Sequence, residues 1–509
     1  MTRPYFRSAA KLALVCLCIS VPAQTPTTPT IQIESRIVLL DVSVTDSKGN
    51  PILDLRPEEF RITEKTVPQT VLSFEPPSAH FLTADKQNKL LVNSTADLSK
   101  IGQSPVTLLV LDELNNNFED ESYARTEFTE WLKRQPAILP QPTALLAVTY
   151  KDFHLVRDFT QDRNALLDVM SHHYAAVLGH DDNPRTGPRA SENMFATLGA
   201  LEQVAQATRG IPGRKNVIWV GDGFPSVAFG DISRSSADEI DAALRRLSGV
   251  LLHSRVTLSI VGSSLVAVKP TIIETQGDND IASNGNYDVV IQSGGKLAFG
   301  NLAPPTGGRV YGNHNDLDAE IGRSIVEGET YYTLSYRPSD PSSNPKEYRA
   351  IHVEVTRPGL TVQTRDGYYE EPPTPPEPPK VPTQQLAFDL FGAALSTLSY
   401  TDLHVTAERN GSADFTLHAS AHDITWRNLP DGRRHSDLVL LAVCLSPRQK
   451  LLAKNFATLG SNTTASLASL GNVTAALHMH FDVPPGTARI RFVIRDMEGG
   501  RVGTADLNP

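Results

Sequence analysis

The chain has 509 residues, and its 47 basic against 57 acidic side chains give a formal net charge of −10. This length accommodates about three domains of roughly 100–200 residues each. The acidic balance argues against nucleic acid and anionic membrane surfaces as partners, because both attract basic proteins. With 40% hydrophobic and 20% charged residues, the composition is that of a globular protein and excludes collagen-like and wholly disordered chains.

The first 23 residues have the pattern of a signal peptide. An apolar run at 12–21 follows three basic residues, and the small residue Ala23 marks a cleavage point before Gln24. We therefore expect an exported protein, located in the periplasm, at the cell surface or outside the cell. No later stretch approaches about 18 apolar residues, so we expect no stable membrane insertion after cleavage. An uncleaved membrane anchor is the alternative interpretation.

Residues 31–75 predict a small antiparallel β unit. Segments rich in β-forming residues at 37–44, 60–64 and 70–74 are separated by turn signals at 46–51 and at Val67 and Pro68. The polar residues at 76–104 then form a connector.

Residues 105–328 alternate between strand and helix patterns, which predicts an α/β domain with a doubly wound, mostly parallel sheet. Continuous apolar runs are typical of strands that are buried on both faces. Residues 263–300 interrupt the alternation and predict a surface loop. The expected strands lie at 106–111, 143–149, 154–156, 217–220, 256–261 and 307–311, and the expected helices at 123–132, 165–170, 194–207, 237–252 and 317–326.

Strand patterns resume at 329–370, and we hypothesise that these strands pair with those at 31–75 around an inserted α/β domain. The proline-dense segment at 371–383 predicts an extended spacer, with a docking ligand for a partner as the alternative. After a short helix near 388–395, residues 384–509 predict a C-terminal, all-β, β-sandwich-like domain.

Two acidic residues and a threonine lie where an α/β sheet presents ligand-binding side chains. Asp112 ends the strand at 106–111, Asp222 follows the strand at 217–220, and Thr197 opens a helix. Ligands of such sheets bind beyond the carboxyl ends of the strands. This arrangement resembles the von Willebrand factor type A domain, whose metal-ion-dependent adhesion site combines an Asp-x-Ser-x-Ser loop, a helix-start threonine and a strand-end Asp-Gly.

The first loop departs from that pattern, because Leu114 and Asn116 stand where the family places two serines. Leu114 offers no oxygen, whereas magnesium requires oxygen ligands in near-octahedral geometry. The resemblance implies a degenerate site in which Mg²⁺, or else Mn²⁺ or Ca²⁺, is held by Asp112, Asn116, Thr197 and Asp222. In the alternative interpretation there is no metal. Both aspartates are then strand-end residues whose carboxylates accept hydrogen bonds from backbone amides at helix starts.

Several short motifs outside this site carry a narrower resemblance. They are Leu55-Arg56-Pro57-Glu58-Glu59-Phe60, Phe118-Glu119-Asp120, Thr306-Gly307-Gly308-Arg309, Arg357-Pro358-Gly359-Leu360 and Gly367-Tyr368-Tyr369. With them, residues 35–370 are similar to the VWFA-related domain family described mainly from Acidobacteria, in which degenerate adhesion-site loops are usual. The resemblance implies an exported module whose partner is unknown.

Other chemistry-bearing residues form weaker patterns. His172 and His173, with a second cluster at 180–182, predict a solvated loop rather than a metal site. His478 and His480 share one strand face and predict surface positions. Cys444 lies in an apolar strand and predicts a buried, inert thiol. The sequence contains no nucleophile elbow, zinc-protease or phosphate-loop motif.

These patterns predict an exported, non-enzymatic binding or adhesion module that holds a protein or envelope ligand at the top face of the central sheet. A metal-independent envelope scaffold is the alternative. A hydrolase is a further alternative, with Asp112 and Asp222 as a general acid and base pair. We expect no catalytic residues and no cofactor other than the cation discussed above.

Overall fold

The computed structural model describes residues 37–81, 91–116, 118–149, 153–173, 188–224, 227–228, 234–262, 296–311, 317–339, 347–369, 383–429, 431–464, 468–470 and 473–508. The predicted signal peptide, the cluster at 180–182 and nearly all of the proline-dense spacer lie outside these residues, as does residue range 263–295 of the predicted loop. Within the described part of the chain, no helix is both long enough and apolar enough to cross a membrane.

The chain begins with four strands, β1 (Val38–Thr45), β2 (Phe60–Glu64), β3 (Val67–Gln69) and β4 (Val71–Glu75). After β1 the chain reverses direction at Asp46. The Asp46 carboxylate accepts hydrogen bonds of 2.8 Å from the backbone N–H groups of Lys48 and Asn50. These bonds satisfy backbone N–H groups of the turn, and a turn at this point is what the signal at 46–51 predicts.

The turn predicted at Val67 and Pro68 is wrong by two residues. Lys65 and Thr66 reverse the chain with φ angles of 47° and 71°, and β3 already pairs with β2 from Val67 onward. Pro68 fits in β3 because β3 is an edge strand, where a missing N–H group is tolerated.

The middle of the chain alternates between strands and helices. Its helices are α1 (Phe118–Arg134), α2 (Arg163–His172), α3 (Pro188–Thr208), α4 (Arg234–His253) and α5 (Leu317–Glu329). Its strands are β5 (Val106–Asp112), β6 (Ile138–Val148), β7 (Phe153–Asp162), β8 (Lys215–Val220), β9 (Val227–Ala228), β10 (Val256–Val261), β11 (Lys296–Leu297) and β12 (Val310–Tyr311). Strands β9 and β11 pair with each other.

Among the described residues, six of these strands form one mixed sheet in the order β12-β10-β8-β5-β6-β7. Every pairing is parallel except that of β6 with β7, which is antiparallel. The prediction of a fold that mixes helices with a largely parallel sheet is confirmed in this coarse form. The strand order reverses between β5 and β8, so the carboxyl ends of these two strands flank a crevice.

Helices cover both faces of this sheet. In β5, Leu108 and Val110 pack in the core that includes α3 and α4, whereas Leu109 and Leu111 pack in the core that includes α1, α2 and α5. A strand covered on both faces needs apolar side chains at successive positions, which explains the continuous apolar run in β5.

Four strands follow the central segment, β13 (Tyr332–Tyr336), β14 (Tyr348–Val355), β15 (Thr361–Gln363) and β16 (Gly367–Tyr369). They join the first four strands in two antiparallel sheets, β15-β1-β13-β4 and β16-β14-β2-β3. Leu40 pairs with Leu334 and Ile62 with Val353, and their side chains share one core. Strands on either side of the α/β segment therefore complete each other's sheets.

The last part of the chain contains α6 (Thr383–Leu395) and eight strands among its described residues. The strands are β17 (Val405–Arg409), β18 (Asp414–Ser420), β19 (Arg427–Asn428), β20 (Arg434–Leu445), β21 (Leu451–Thr463), β22 (Thr474–His480), β23 (Arg489–Asp496) and β24 (Val502–Leu507). They form the antiparallel sheets β17-β18-β22 and β19-β20-β23-β24, with β21 paired to β20. Cys444 is buried between them, as predicted.

Helix α6 packs between the last strands and the central helix α3. In α6, Asp389 forms a buried 2.9 Å ion pair with Arg495 of β23, and Gln385 donates a 3.1 Å hydrogen bond to Glu202 of α3. Next to this contact, Arg209 pairs with Asp402 at 3.2 Å. The last strands are therefore fastened to the α/β part by specific polar contacts and not only by the spacer.

Short 3₁₀ helices lie in the connections between these elements. They span Pro57–Glu59, Pro77–Ala79, Thr95–Lys100, Phe299–Leu302, Pro304–Thr306 and Ala468–Leu470. Two of them occupy the connector that the sequence placed at 76–104, so that segment carries local structure in its described residues.

Candidate functional site

The candidate site lies at the crevice between the carboxyl ends of β5 and β8. Asp112 is the last residue of β5, and Gly221 follows β8 with a φ angle of 144°. A Cβ atom on Gly221 would lie 2.5 Å from the Asp112 Cβ atom. Glycine is therefore required here, both for the backbone conformation and for the close approach of the two strand ends.

The Asp112 carboxylate is fully buried and surrounded by donors. Its Oδ2 atom accepts hydrogen bonds from Trp219 Nε1 at 2.9 Å and from the Gly223 backbone at 3.0 Å, and Oδ1 accepts one from the Asn115 backbone at 3.0 Å. Burial raises the pKa of Asp112, and these hydrogen bonds oppose the rise. Asp112 thus anchors the loop that follows β5 to the end of β8.

Asn115 joins Asp112 to Thr197. Its Nδ2 atom donates to Asp112 Oδ1 at 3.0 Å and Oδ2 at 3.1 Å, and to Thr197 Oγ1 at 3.1 Å. Thr197 is fully buried, and its hydroxyl donates a 2.7 Å hydrogen bond to the Asn193 carbonyl in α3. The amide nitrogen of Asn115 therefore lies between the aspartate and the threonine that the sequence identified as candidate ligands.

The other two candidate ligands lie beside this network. Asn116 is buried, and its Oδ1 atom accepts a 3.4 Å hydrogen bond from the Asp222 backbone. The Asp222 side chain is exposed to solvent. Leu114, which replaces an oxygen-bearing residue of the family pattern, is buried in the core beneath the loop.

The arrangement of these residues does not fit a divalent cation. Mg²⁺ needs about six oxygen atoms around one point, but the position between Asp112 and Thr197 is filled by the Asn115 amide nitrogen, which is a donor. Leu114 supplies no oxygen. Within the described part of the chain, no group of three acidic, histidine or cysteine side chains is placed to hold a metal. Cation binding by the four predicted ligands stays a prediction.

A second polar cluster lies beside the site, and the sequence patterns did not predict it. Glu113 Oε1 lies 2.5 Å from His173 Nε2, although 60 residues separate them along the chain. The solvated position predicted for His173 is therefore wrong, because its side chain is only 14% exposed. His172, in contrast, is exposed at the end of α2.

Glu121 of α1 belongs to this cluster and is the least satisfied acid among the described residues near the site. It is 2% exposed, and neither carboxylate oxygen has a hydrogen-bond partner there. Burial raises the pKa of Glu121 to about 8, helped by the negative charges of Glu113 and Asp112 and opposed by Arg125. Glu121 is therefore largely protonated at neutral pH.

We expect Glu121→Gln to stabilise the protein above neutral pH. A carboxyl group whose pKa rises from 4.5 to about 8 on folding binds its proton more tightly in the folded state, so wild-type stability falls as the pH rises through this interval. The glutamine side chain does not ionise, so the variant does not lose stability over this pH interval. The expected gain is about 4 kcal/mol at pH 8 and less than about 1 kcal/mol at pH 4.5, measured by denaturant unfolding at both pH values. An equal effect at both values would contradict the burial of a titrating carboxyl.

Two large aromatic side chains, each two residues along the chain from a candidate ligand, are exposed to solvent. Phe118, which begins α1 directly after the loop, is 69% exposed, and Phe195, two residues before Thr197 in α3, is 39% exposed. Exposed aromatic rings next to a buried polar network are typical anchors for a protein partner.

The two histidines on β22 lie on the surface side of their strand. His478 Nδ1 lies 3.1 Å from Thr416 Oγ1, and His480 Nδ1 lies 2.7 Å from Asp414 Oδ1. The hydrogen bond with Asp414 raises the pKa of His480. Both residues are engaged with their neighbouring strand.

No family model and no curated protein matches the chain. Among solved structures, the chain is similar to proximal thread matrix protein 1 from the mussel byssus, with 12% identity and a TM-score of 0.27 over 47% of this chain and 49% of that one. It is also similar to a glycosyl hydrolase family 2 member from Bacteroides cellulosilyticus, with 9% identity and a TM-score of 0.11 over 35% of this chain and 20% of that one. The matched regions span about half of the first chain and about a fifth of the second.

Proposed function

We propose that the chain is an exported, non-enzymatic binding protein that captures a partner protein at the carboxyl edge of its six-stranded sheet, without a metal ion. In this proposal the central part is a von Willebrand factor type A-like domain of the VWFA-related family. The last strands form a β-sandwich-like, all-β domain that helps to hold the module in the cell envelope or outside the cell.

The observation that carries the proposal is the bridge from Asp112 through Asn115 to Thr197. Three hydrogen bonds of 3.0–3.1 Å join the end of β5 to α3 and supply the cross-link that a cation provides in an adhesion site. A binding site that is already rigid before the partner binds lowers the entropic cost of association. In this proposal α1, α3 and the loop after β8 therefore present Phe118, Phe195 and Asp222 from a fixed framework.

The strand order supports the type A-like interpretation. Numbered along the chain within the sheet, the strands lie in the order 6-5-4-1-2-3, which is the doubly wound order, and the third strand is the antiparallel edge strand. The helices on both faces and the position of Asp112 at the reversal of the strand order agree with the same fold.

The hydrolase alternative receives less support from the geometry. A general acid or base must reach the substrate with a free lone pair or proton. The Asp112 carboxylate is fully buried and already accepts from Asn115, Trp219 and Gly223. Asp222 is exposed, so the two carboxyl groups differ in accessibility, which gives an acid and base pair less support.

A photo-crosslinking amino acid at position 195 tests the proposal in cells that export the full chain. We expect one discrete adduct with a partner protein from position 195 and none from position 456, where the exposed Phe456 of β21 provides a matched control. Phe118→Ala should reduce the adduct about tenfold, which corresponds to the loss of one aromatic anchor. Thermal unfolding shows that each variant is folded.

The other outcomes separate the alternatives. Adducts from position 456 without any from position 195 would support the envelope scaffold and contradict binding at the sheet edge. A partner that is cleaved during the experiment, with cleavage lost in Asp222→Ala, would support the hydrolase.

A further inference from the structure

A cluster of charged residues lies where the antiparallel sheets meet the α/β part. It is separate from the candidate site at the carboxyl ends of β5 and β8. Asp41 of β1 accepts hydrogen bonds from Arg255, which follows α4, at 2.6 Å through Nη2 and 3.3 Å through Nε. Thr333 of β13 donates a further bond of 3.1 Å to Asp41. All the hydrogen bonds of the Asp41 carboxylate within the described residues thus come from Arg255 and Thr333.

A second arginine of this cluster contacts neutral groups only. Arg214, which precedes β8, donates to Ser43 Oγ and to Thr257 Oγ1, both at 3.0 Å. It is 3% exposed, so its positive charge is buried without a carboxylate in hydrogen-bond contact.

A third arginine, Arg365 between β15 and β16, has no side-chain hydrogen bond to any residue that the structure describes. It is 7% exposed and lines a cavity of about 10 Å³ together with Arg255, Thr257 and Thr306. Asp41 lines the same cavity. A cavity of this volume holds one particle of about the size of a water molecule.

The charges of the cluster do not balance. The guanidinium groups of Arg214, Arg255 and Arg365 lie near the carboxylate of Asp41, and the only other carboxylate that acts on Arg255 among the described residues is Glu75, whose side chain is half exposed. Burial opposes ionisation of Asp41, but the positive charge of Arg255 outweighs it and lowers the Asp41 pKa. Burial lowers the pKa of Arg365 to about 10, so Arg365 is charged at neutral pH. Uncompensated buried charge strongly destabilises a fold.

We propose that this cavity is a binding site for a single monovalent anion of the size of chloride, held by the guanidinium groups of Arg365 and Arg255. The anion supplies the negative charge that Asp41 alone does not, and Thr257 and Thr306 line the same cavity. Because Arg365 belongs to the antiparallel sheets and Arg255 to the α/β part, the anion ties the two parts of the molecule together. Phosphate and sulfate exceed the volume of the cavity.

Crystals of the full chain grown in sodium bromide test the site directly. We expect an anomalous scattering peak for bromide between Arg365 and Arg255. A water molecule at that position, with no anomalous peak, would overturn the proposal.

Thermal unfolding gives a second test in solution. At constant ionic strength, replacing sodium gluconate by sodium chloride should raise the melting temperature of the wild type with the logarithm of the chloride concentration. Arg365→Gln should reduce this slope at least fivefold, whereas the exposed Arg433→Gln should leave it unchanged. An unchanged slope in Arg365→Gln would contradict the proposal, and if that variant does not fold, the bromide crystals of the wild type still decide the question.

Discussion

Asn115→Asp is expected to make the stability of this protein depend on divalent cations. The substitution replaces the amide that donates to Asp112 by a second carboxylate about 3 Å from the first, which is fully buried. Two carboxylates at this distance repel each other, and the cost without a cation is about 3 kcal/mol. Excess Mg²⁺, Mn²⁺ or Ca²⁺ should restore most of this loss, because the two carboxylates and Thr197 now supply oxygen ligands.

Thermal unfolding with each cation and with a chelator measures this effect in the wild type and in Asn115→Asp. The matched control is Asn164→Asp, which makes the same change of charge at an exposed position in α2. The wild type should not respond to cations. A wild-type stabilisation of about 2.7 kcal/mol at a hundredfold excess of cation, lost in Asp222→Ala, would instead show that the predicted four-ligand metal site works.

The parts of the site that the sequence predicted are those set by local position. Asp112 was identified because a strand end is visible in the pattern of apolar residues. The prediction that Thr197 opens a helix is wrong, because α3 begins at Pro188 and Thr197 lies inside it, but the structure does bring the side chains of Asp112 and Thr197 to Asn115. The choice between Asn115 and Asn116 as the bridging amide was missed. That choice depends on the backbone path of the loop, in which Leu114 turns into the core.

The second polar cluster, formed by Glu113, His173 and Glu121, could not be predicted for a different reason. The contact between Glu113 and His173 joins the loop after β5 to the residue that follows α2, and no local pattern marks such a contact. Glu121 lies in an ordinary first turn of acidic residues, where a helix start favours acids, and only the packing of α1 shows that it is buried.

The same distinction holds for the fold. The alternation of strand and helix patterns predicted the mixed sheet, because each element shows its own period. The role of α6 was not visible, since a short helix after a proline-dense segment carries no information about what it packs against. The structure places Asp389 of this helix against Arg495, over a hundred residues later.

Asp389→Ala is therefore expected to cost about 3–5 kcal/mol of unfolding free energy, because it leaves the buried Arg495 guanidinium without its carboxylate. Asp389 is 4% exposed, and besides Arg495 it accepts hydrogen bonds from Gln385 at 2.7 Å and Gln206 at 3.2 Å. The substitution thus also loosens α6 from α3. Denaturant unfolding measures the loss, and a second, separate transition is expected for the last strands.

The exposed ion pair between Asp431 and Arg433 provides the control, since Asp431→Ala should cost less than about 1 kcal/mol. Replacing both partners of the buried pair by apolar residues, Asp389→Leu with Arg495→Met, should recover much of the loss, because no charge is then left unpaired. If Asp389→Ala costs no more than Asp431→Ala, then α6 does not fasten the two parts. The proline-dense segment would in that case be their main connection, and a partner held at the sheet edge would be free to move relative to the last strands.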